Sequence, residues 1–176
     1  MAYALTGKQR MYTGRKISLE VYHLRSEDGR TVEKEVIVHP GAVVVLPFLD
    51  RQTIILIRNR RHAVGEVLLE LPAGTLGRGE MPMNAAGREL LEETGYLAGR
   101  MRPLLSFYPS PGVLSEKMYA FAAYDLEKRQ QSLDEGEEIE VVTTPLDVAL
   151  DMIRHGGIAD GKTIATLLFY RYFGGE

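Results

Sequence analysis

Two apolar runs set the first limit on the fold. Ala42–Leu46 and Thr53–Ile57 are almost free of polar side chains, and Asp50-Arg51-Gln52 between them has the character of a turn. An antiparallel strand with one wet face would alternate, whereas these read as strands covered on both faces. Something must cover them, and the helical periodicity further along supplies it. Pro82 suits a first helical turn and Gly95 the left-handed residue just past its end. Thr144-Pro145 reads as a cap and an N1 proline leading a helix to about His155, and a further helix spans about Lys162 to Phe173. Strands return at Leu104–Tyr108, Lys117–Tyr124 and Ile139–Val142. Before the apolar runs, residues 15–25 alternate, with Ile17, Leu19, Val21 and His23 on one side. An Asp-Gly turn then leads into a returning strand at 31–38, so this stretch reads as a hairpin. The pattern is that of an α+β chain, layered α/β/α, with a small antiparallel region at 1–39 and the main domain at 40–176. Pro40-Gly41 marks the seam.

Composition narrows the chemistry by exclusion. Among 176 residues there is no cysteine, which removes disulfides, thiolate-bound metals and thiol nucleophiles and fits a reducing, cytoplasmic setting. The first ten residues lack a basic-then-apolar leader pattern, and no run approaches the roughly 18 apolar residues of a membrane span. The formal charge of −3 argues against a nucleic-acid platform. That figure is an average, however. Residues 74–96 and 134–140 hold nine of the 24 acids and two of the 21 basic residues, a local −7 that leaves +4 elsewhere.

The segment from Gly74 to Tyr96 carries most of the functional information. Glu89, Glu92 and Glu93 lie at i, i+3 and i+4, on one face of the helix, while Met83, Gly87, Leu90 and Leu91 lie towards the other, where they can pack on a sheet. Clustered like charges destabilise a helix by roughly 0.2–0.5 kcal/mol per pair. A hard divalent cation, Mg²⁺ or Mn²⁺, converts that repulsion into coordination. A Glu-rich helix face is ordinarily just solvated, but here the spacing also fixes Gly74, Glu80, Arg88 and Gly95. Seven such positions match by accident about once in 10⁸ starts.

This segment resembles the signature box of the Nudix hydrolases: a glycine, five residues, a glutamate, seven residues, then REUXEEXGU, with U a bulky apolar residue. Every fixed position from Gly74 to Gly95 matches, and Tyr96 stands where an aliphatic residue is usual. The resemblance implies a loop–helix–loop on an α/β/α sandwich and cleavage of nucleoside diphosphates linked to another group. It implies Glu89, Glu92 and Glu93 as metal ligands, with more than one ion per site. Arg88 becomes the orienting partner of a box carboxylate and Glu80 a support.

Outside the box the chain is similar to the ADP-ribose pyrophosphatase and nucleoside diphosphate sugar branch of that family. Glu70-Leu-Pro-Ala-Gly74 leads into the box as the branch's ELPAG does, implying a metal contact from the Ala73 carbonyl and a pocket-wall role for Glu70. Ser110-Pro111-Gly112 follows at the branch's spacing, with Ser115-Glu116 beyond it. The resemblance implies Ser110, Gly112 and Glu116 as substrate-binding residues, with Ser115-Glu116 at the ribose–phosphate end. Arg58-Asn59-Arg60-Arg61 stands where the branch has RQxR, pointing to Arg61 as a phosphate or pocket arginine, with Asn59 a departure. A diphosphate calls for fork-shaped cationic donors in any case. The four histidines show no ligand spacing and read as structural or surface residues, and Phe107-Tyr108 as core.

The acidic run 134–140 is the expected source of a general base. The branch places a catalytic glutamate on a loop before the late strand, which implies Glu137, with Glu135 as runner-up. The branch also implies a homodimer with exchanged N-terminal strands. Tyr12, Lys16 and Ile17 are then the candidates to meet the base. The expected partner is thus a small nucleoside diphosphate, with no nucleic acid and no membrane.

Overall fold

The computed structural model describes residues 2–174; Met1, Gly175 and Glu176, which the divisions 1–39 and 40–176 include, lie outside the described residues. The chain divides into two compact units, one of residues up to Gly41 together with Tyr108–Lys117, the other of Ala42–Phe107 and the residues from Met118 on.

The first unit is a three-stranded antiparallel sheet, β1 (Tyr3–Thr13), β2 (Ser18–Ser26) and β3 (Thr31–Val38), in the order β1-β2-β3. The expected hairpin is β2–β3, turning at Gly29 with φ 87°. β1 is an addition to it. Burial on β2 also runs opposite to the apolar alternation: Ser18 and Glu20 are buried and Ile17 is exposed. Glu20 is kept there by Arg10 of β1, whose Nε and Nη2 donate to Glu20 Oε1 at 3.1 and 2.7 Å. The 108–117 segment docks alongside β3, where Ile37 N donates to Val113 O and Ser115 N to Ile37 O. Tyr108, expected in a core, is exposed in this segment, whereas Phe107 packs on the core of the second unit.

The second unit follows from the two apolar runs. They become β4 (Ala42–Pro47) and β5 (Thr53–Arg61), both with fully buried stretches. Asp50 makes the turn between them by accepting from Gln52 N and Thr53 N, both at 2.8 Å. β4 lies in a mixed sheet, β7-β4-β9-β8, and β5 in a second sheet, β10-β5-β6. The remaining strands are β6 (Glu66–Glu70), β7 (Ala73–Thr75), β8 (Tyr96–Phe107), β9 (Met118–Lys128) and β10 (Ile139–Pro145). Alternate β4 residues face opposite ways, as a strand requires. Val43 and Val45 pack with Ala85, Ala86 and Leu90 of α1 (Pro82–Thr94). Val44 and Leu46 pack with Ala149 of α2 (Leu146–Arg154) and Leu167 of α3 (Gly161–Phe173). Helices on both faces make this unit the expected α/β/α arrangement.

Two local expectations are corrected. Met83 is exposed, and α1 meets the sheet through Ala85, Ala86 and Leu90, small residues that allow a close approach. The start of α2 lies one residue later than the sequence suggests: Pro145 is itself the N-cap residue, no side chain caps the helix, and Thr144 is the penultimate residue of β10. Pro82 and Gly95 do bound α1, Gly95 in the left-handed conformation at φ 69°.

Candidate active site

The site grows from the contact between α1 and the short strand β7. Gly74 of β7 lies so close to α1 that a Cβ there would overlap the Glu89 carboxylate. A side chain at 74 would displace that carboxylate. One residue earlier, Ala73 N donates to Glu93 Oε2 at 2.8 Å. Glu93 is 3% exposed, and burial, with the charges of Glu89 and Glu137 beside it, pushes its pKa up to about 8. Glu89 is likewise pushed up, chiefly by burial. Glu137 acts on both acids, which puts its carboxylate within electrostatic reach of them. Glu135 is exposed.

Arg88 organises the remaining acids. Its Nη1 donates to Glu89 Oε1 and Glu92 Oε2, each at 2.8 Å, while Nε and Nη2 reach Glu80 Oε1 and Oε2 at 3.0 and 3.1 Å. Nη2 also reaches the Thr75 carbonyl at 3.3 Å. This spread of donors is available to a guanidinium and not to an ammonium. Glu80 in turn accepts from Gly77 N at 2.7 Å, closing the loop before α1, and these bonds hold its pKa below the usual carboxylate range.

The donor set suits a hard divalent cation: three carboxylates on one helix face, one of them buried and short of a counter-charge. Among the described residues no three acidic or histidine side chains stand around a common point. Arg88 Nη1 instead holds Glu89 and Glu92 together.

A second cluster lies on the strand leading into β7. Glu70, wholly buried at the end of β6, takes Arg61 Nε on Oε1 at 2.8 Å and Arg61 Nη2 on Oε2 at 2.5 Å. Lys162 Nζ donates to the same Oε2 at 2.6 Å and lies 2.9 Å from Asp160. Arg61 feels the charges of Glu93 and Asp160 as well as that of Glu70, which places it beside the box. Arg58 is instead paired at the surface with Glu140. Lys162 and Asp160 escape sequence reasoning. Asp160 is visible only as an N-cap, accepting from Thr163 N at 3.0 Å. Leu71 N donates to Thr163 Oγ1 at 2.8 Å, tying α3 to the same strand end.

Ser110, Gly112 and Glu116 belong to the other unit. The Ser110 carbonyl accepts from Val113 N and Leu114 N, Gly112 has open space around it, and Glu116 faces His39 at 3.4 Å. Tyr12, Lys16 and Ile17 are exposed there on and after β1.

A model of the NUDIX domain matches residues 38–166, spanning both the α1 carboxylates and the Glu70 cluster. The chain belongs to the Nudix family. Among its relatives, the ADP-ribose pyrophosphatase of Bacillus subtilis is 36% identical over 158 residues, covering 89% of this chain and 85% of that protein. The methanol dehydrogenase activator of Bacillus methanolicus is 34% identical, covering 92% and 88%. The GDP-mannose pyrophosphatase of Escherichia coli O1:K1 / APEC is 34% identical, covering 83% and 82%. A crystal structure of an ADP compounds hydrolase superposes with a TM-score of 0.85 at 25% identity, over 97% of this chain and 93% of that one. As a Nudix domain, the chain carries in α1 the box helix of a family that generally uses a divalent metal. No described helix is long and apolar enough to cross a membrane.

Proposed function

We propose that the protein is a pyrophosphohydrolase that cleaves ADP-ribose to AMP and ribose 5-phosphate, or makes the same cut in a related nucleoside diphosphate sugar such as GDP-mannose. Water adds to one phosphorus, and the bridging oxygen leaves with the other phosphate. The observation that carries this reading is the carboxylate face of α1, pressed against Gly74 with Glu137 in electrostatic reach of Glu89 and Glu93. A regulatory module that had lost catalysis would be expected to have lost box acids, and here each is present.

Glu89, Glu92, Glu93 and the Ala73 carbonyl would hold Mg²⁺, with Mn²⁺ able to substitute and more than one ion per site. Bound there, the metal would supply charge neutralisation of the diphosphate and a more acidic water. Glu137 accepts the proton of the attacking water, with Glu135 the alternative base. Being on a loop, the base is free to approach as substrate binds. Arg61 offers a guanidinium edge to the diphosphate, and buried Glu70 fixes how that edge points. Ser110, Gly112 and Glu116 are assigned to substrate binding, with Ser115-Glu116 at the ribose–phosphate end. We assign residues 1–39 to strand exchange in a homodimer and 40–176 to catalysis, in the cytoplasm. Exposed Tyr3, Leu5, Met11 and Tyr12 on β1 support an interface there.

Incubation with ADP-ribose, GDP-mannose and diadenosine polyphosphate plus Mg²⁺, with identification of the products, tests the substrate class. No cleavage of either sugar nucleotide overturns it. Glu137→Gln is expected to lower kcat more than it raises KM, and an equal loss in Glu135→Gln reverses their ranking. Light scattering at micromolar concentration tests the dimer, and a monomer there counts against strand exchange.

A further inference from the structure

The last four carbonyls of any α-helix lack partners within the helix. In α1 all four are satisfied, and three of the donors come from one short segment. Gly95 N takes the Leu91 carbonyl at 2.8 Å. Ser132 N takes that of Glu92 at 3.0 Å, Gln131 Nε2 that of Glu93 at 2.6 Å, and Lys128 Nζ that of Thr94 at 3.2 Å. Arg129 N adds a bond to the Gly95 carbonyl at 2.7 Å. Residues 128–132 are thus sewn along the end of the helix that bears the box acids.

The same segment is the root of the turn that carries Glu137. Beyond it the chain closes on itself: Glu137 N donates to Asp134 O, and Asp134 N to Glu137 Oε2, both at 3.1 Å, around Gly136 at φ 86°. Within the turn the Glu137 carboxylate is oriented by its own neighbours, and the seam at 128–132 ties the whole turn to α1. The unusual Tyr96 also takes part, because Lys128 Nζ sits 4.1 Å from its ring centroid. An aliphatic residue there would offer the ammonium no such platform.

We propose that Gln131 is a positioning residue for hydrolysis: through its bond to the Glu93 carbonyl it fixes the root of the Glu137 turn relative to Glu89, Glu92 and Glu93. This rests on the reading of Glu137 as the base. Gln131 is the only side chain in the seam whose bond reaches the backbone of a box acid, so its loss loosens the turn without removing any group from the reaction. Small displacements of a positioned group are costly, about 10²-fold for 1 Å.

Gln131→Met keeps the length of the side chain and removes the donor. We expect kcat to fall about 10-fold with KM within about twofold, an unchanged melting temperature, and faster amide hydrogen exchange at 133–138. Gln131→Lys, which again offers a donor to that carbonyl, should restore most of the rate. In a Glu137→Gln background, Gln131→Met should have no further effect on kcat. A kcat within twofold of the parent, or a loss that adds to that of Glu137→Gln, overturns the proposal and leaves the base reading standing. Near-normal turnover by Glu137→Gln alone removes the base reading and the proposal with it. Should Gln131→Met not fold, Gln131→Glu, which keeps the size and replaces the donor by an acceptor, is judged by the same criteria.

Discussion

The Glu89 carboxylate occupies the space that a side chain on Gly74 would need. The pairing explains why the box begins with a glycine: the strand supplies a wall with no Cβ, and the helix fills it with an acid. Gly74→Ala pushes that acid away from the strand. We expect kcat/KM to fall about 100-fold, the effect of roughly 1 Å of misplacement, while circular dichroism and melting stay near those of the parent. Activity within threefold of the parent would show that Glu89 relocates freely.

Burial of Glu93 links metal binding to pH. Its pKa is raised from the ordinary 4.5 to about 8 in the folded, metal-free chain. A group raised on folding contributes stability that is complete below its unfolded pKa and is lost as pH rises through the folded one. The metal-free protein should therefore lose stability from about pH 5 to pH 8, by a few kcal/mol at most. Glu93→Gln should flatten that slope and abolish turnover. Metal binding near pH 7 should release protons from the parent and fewer from the variant, by calorimetry in buffers of different ionisation enthalpy. Identical pH slopes for the two proteins would refute the assignment.

Glu70, at zero exposure, is met by both Arg61 and Lys162. Lys162→Met leaves Arg61 as its single cationic partner. Losing one hydrogen bond of that kind costs about 1.5–3 kcal/mol, hence a melting temperature lower by roughly 5 °C or more in a chain of this size. Adding Glu70→Gln to Lys162→Met should recover part of the loss, since the buried charge goes with its lost partner. Strictly additive losses in the double variant would mean that the two residues are not coupled.

What the sequence made legible was local and periodic. Glu89, Glu92 and Glu93 share a face because the helix repeat is 3.6 residues. Gly95 had to be left-handed, and the unbroken apolar runs had to become β4 and β5. Missing from such a reading was whatever depends on partners far along the chain. β1 has little alternation and is exposed along nearly its whole length, and it is a strand because β2 pairs with it. Glu70 and Lys162 stand 92 residues apart and leave no periodic trace. The Met83 error has a different cause: a helical wheel gives direction but not depth, and Ala85 and Ala86 reach the sheet because they are small.

The two left-handed glycines of the box region separate backbone strain from crowding. Gly79 has φ 74° and nothing within 4 Å of a prospective Cβ, so Gly79→Ala should cost only the left-handed penalty of about 1–2 kcal/mol. Gly95 has a similar φ of 69°, but a Cβ there would meet Gln131 N at 2.9 Å and Arg129 O at 3.0 Å. Both are backbone atoms of the segment sewn along the end of α1, so no side-chain rotation relieves them. Gly95→Ala should therefore cost at least about 1 kcal/mol more than Gly79→Ala in urea unfolding, because the segment must shift or the helix end must open. It should also lower kcat where Gly79→Ala leaves it nearly unchanged, since what shifts is the root of the Glu137 turn. Equal costs in the two variants would mean that the segment yields without resistance and that Gly95 is needed for its φ alone.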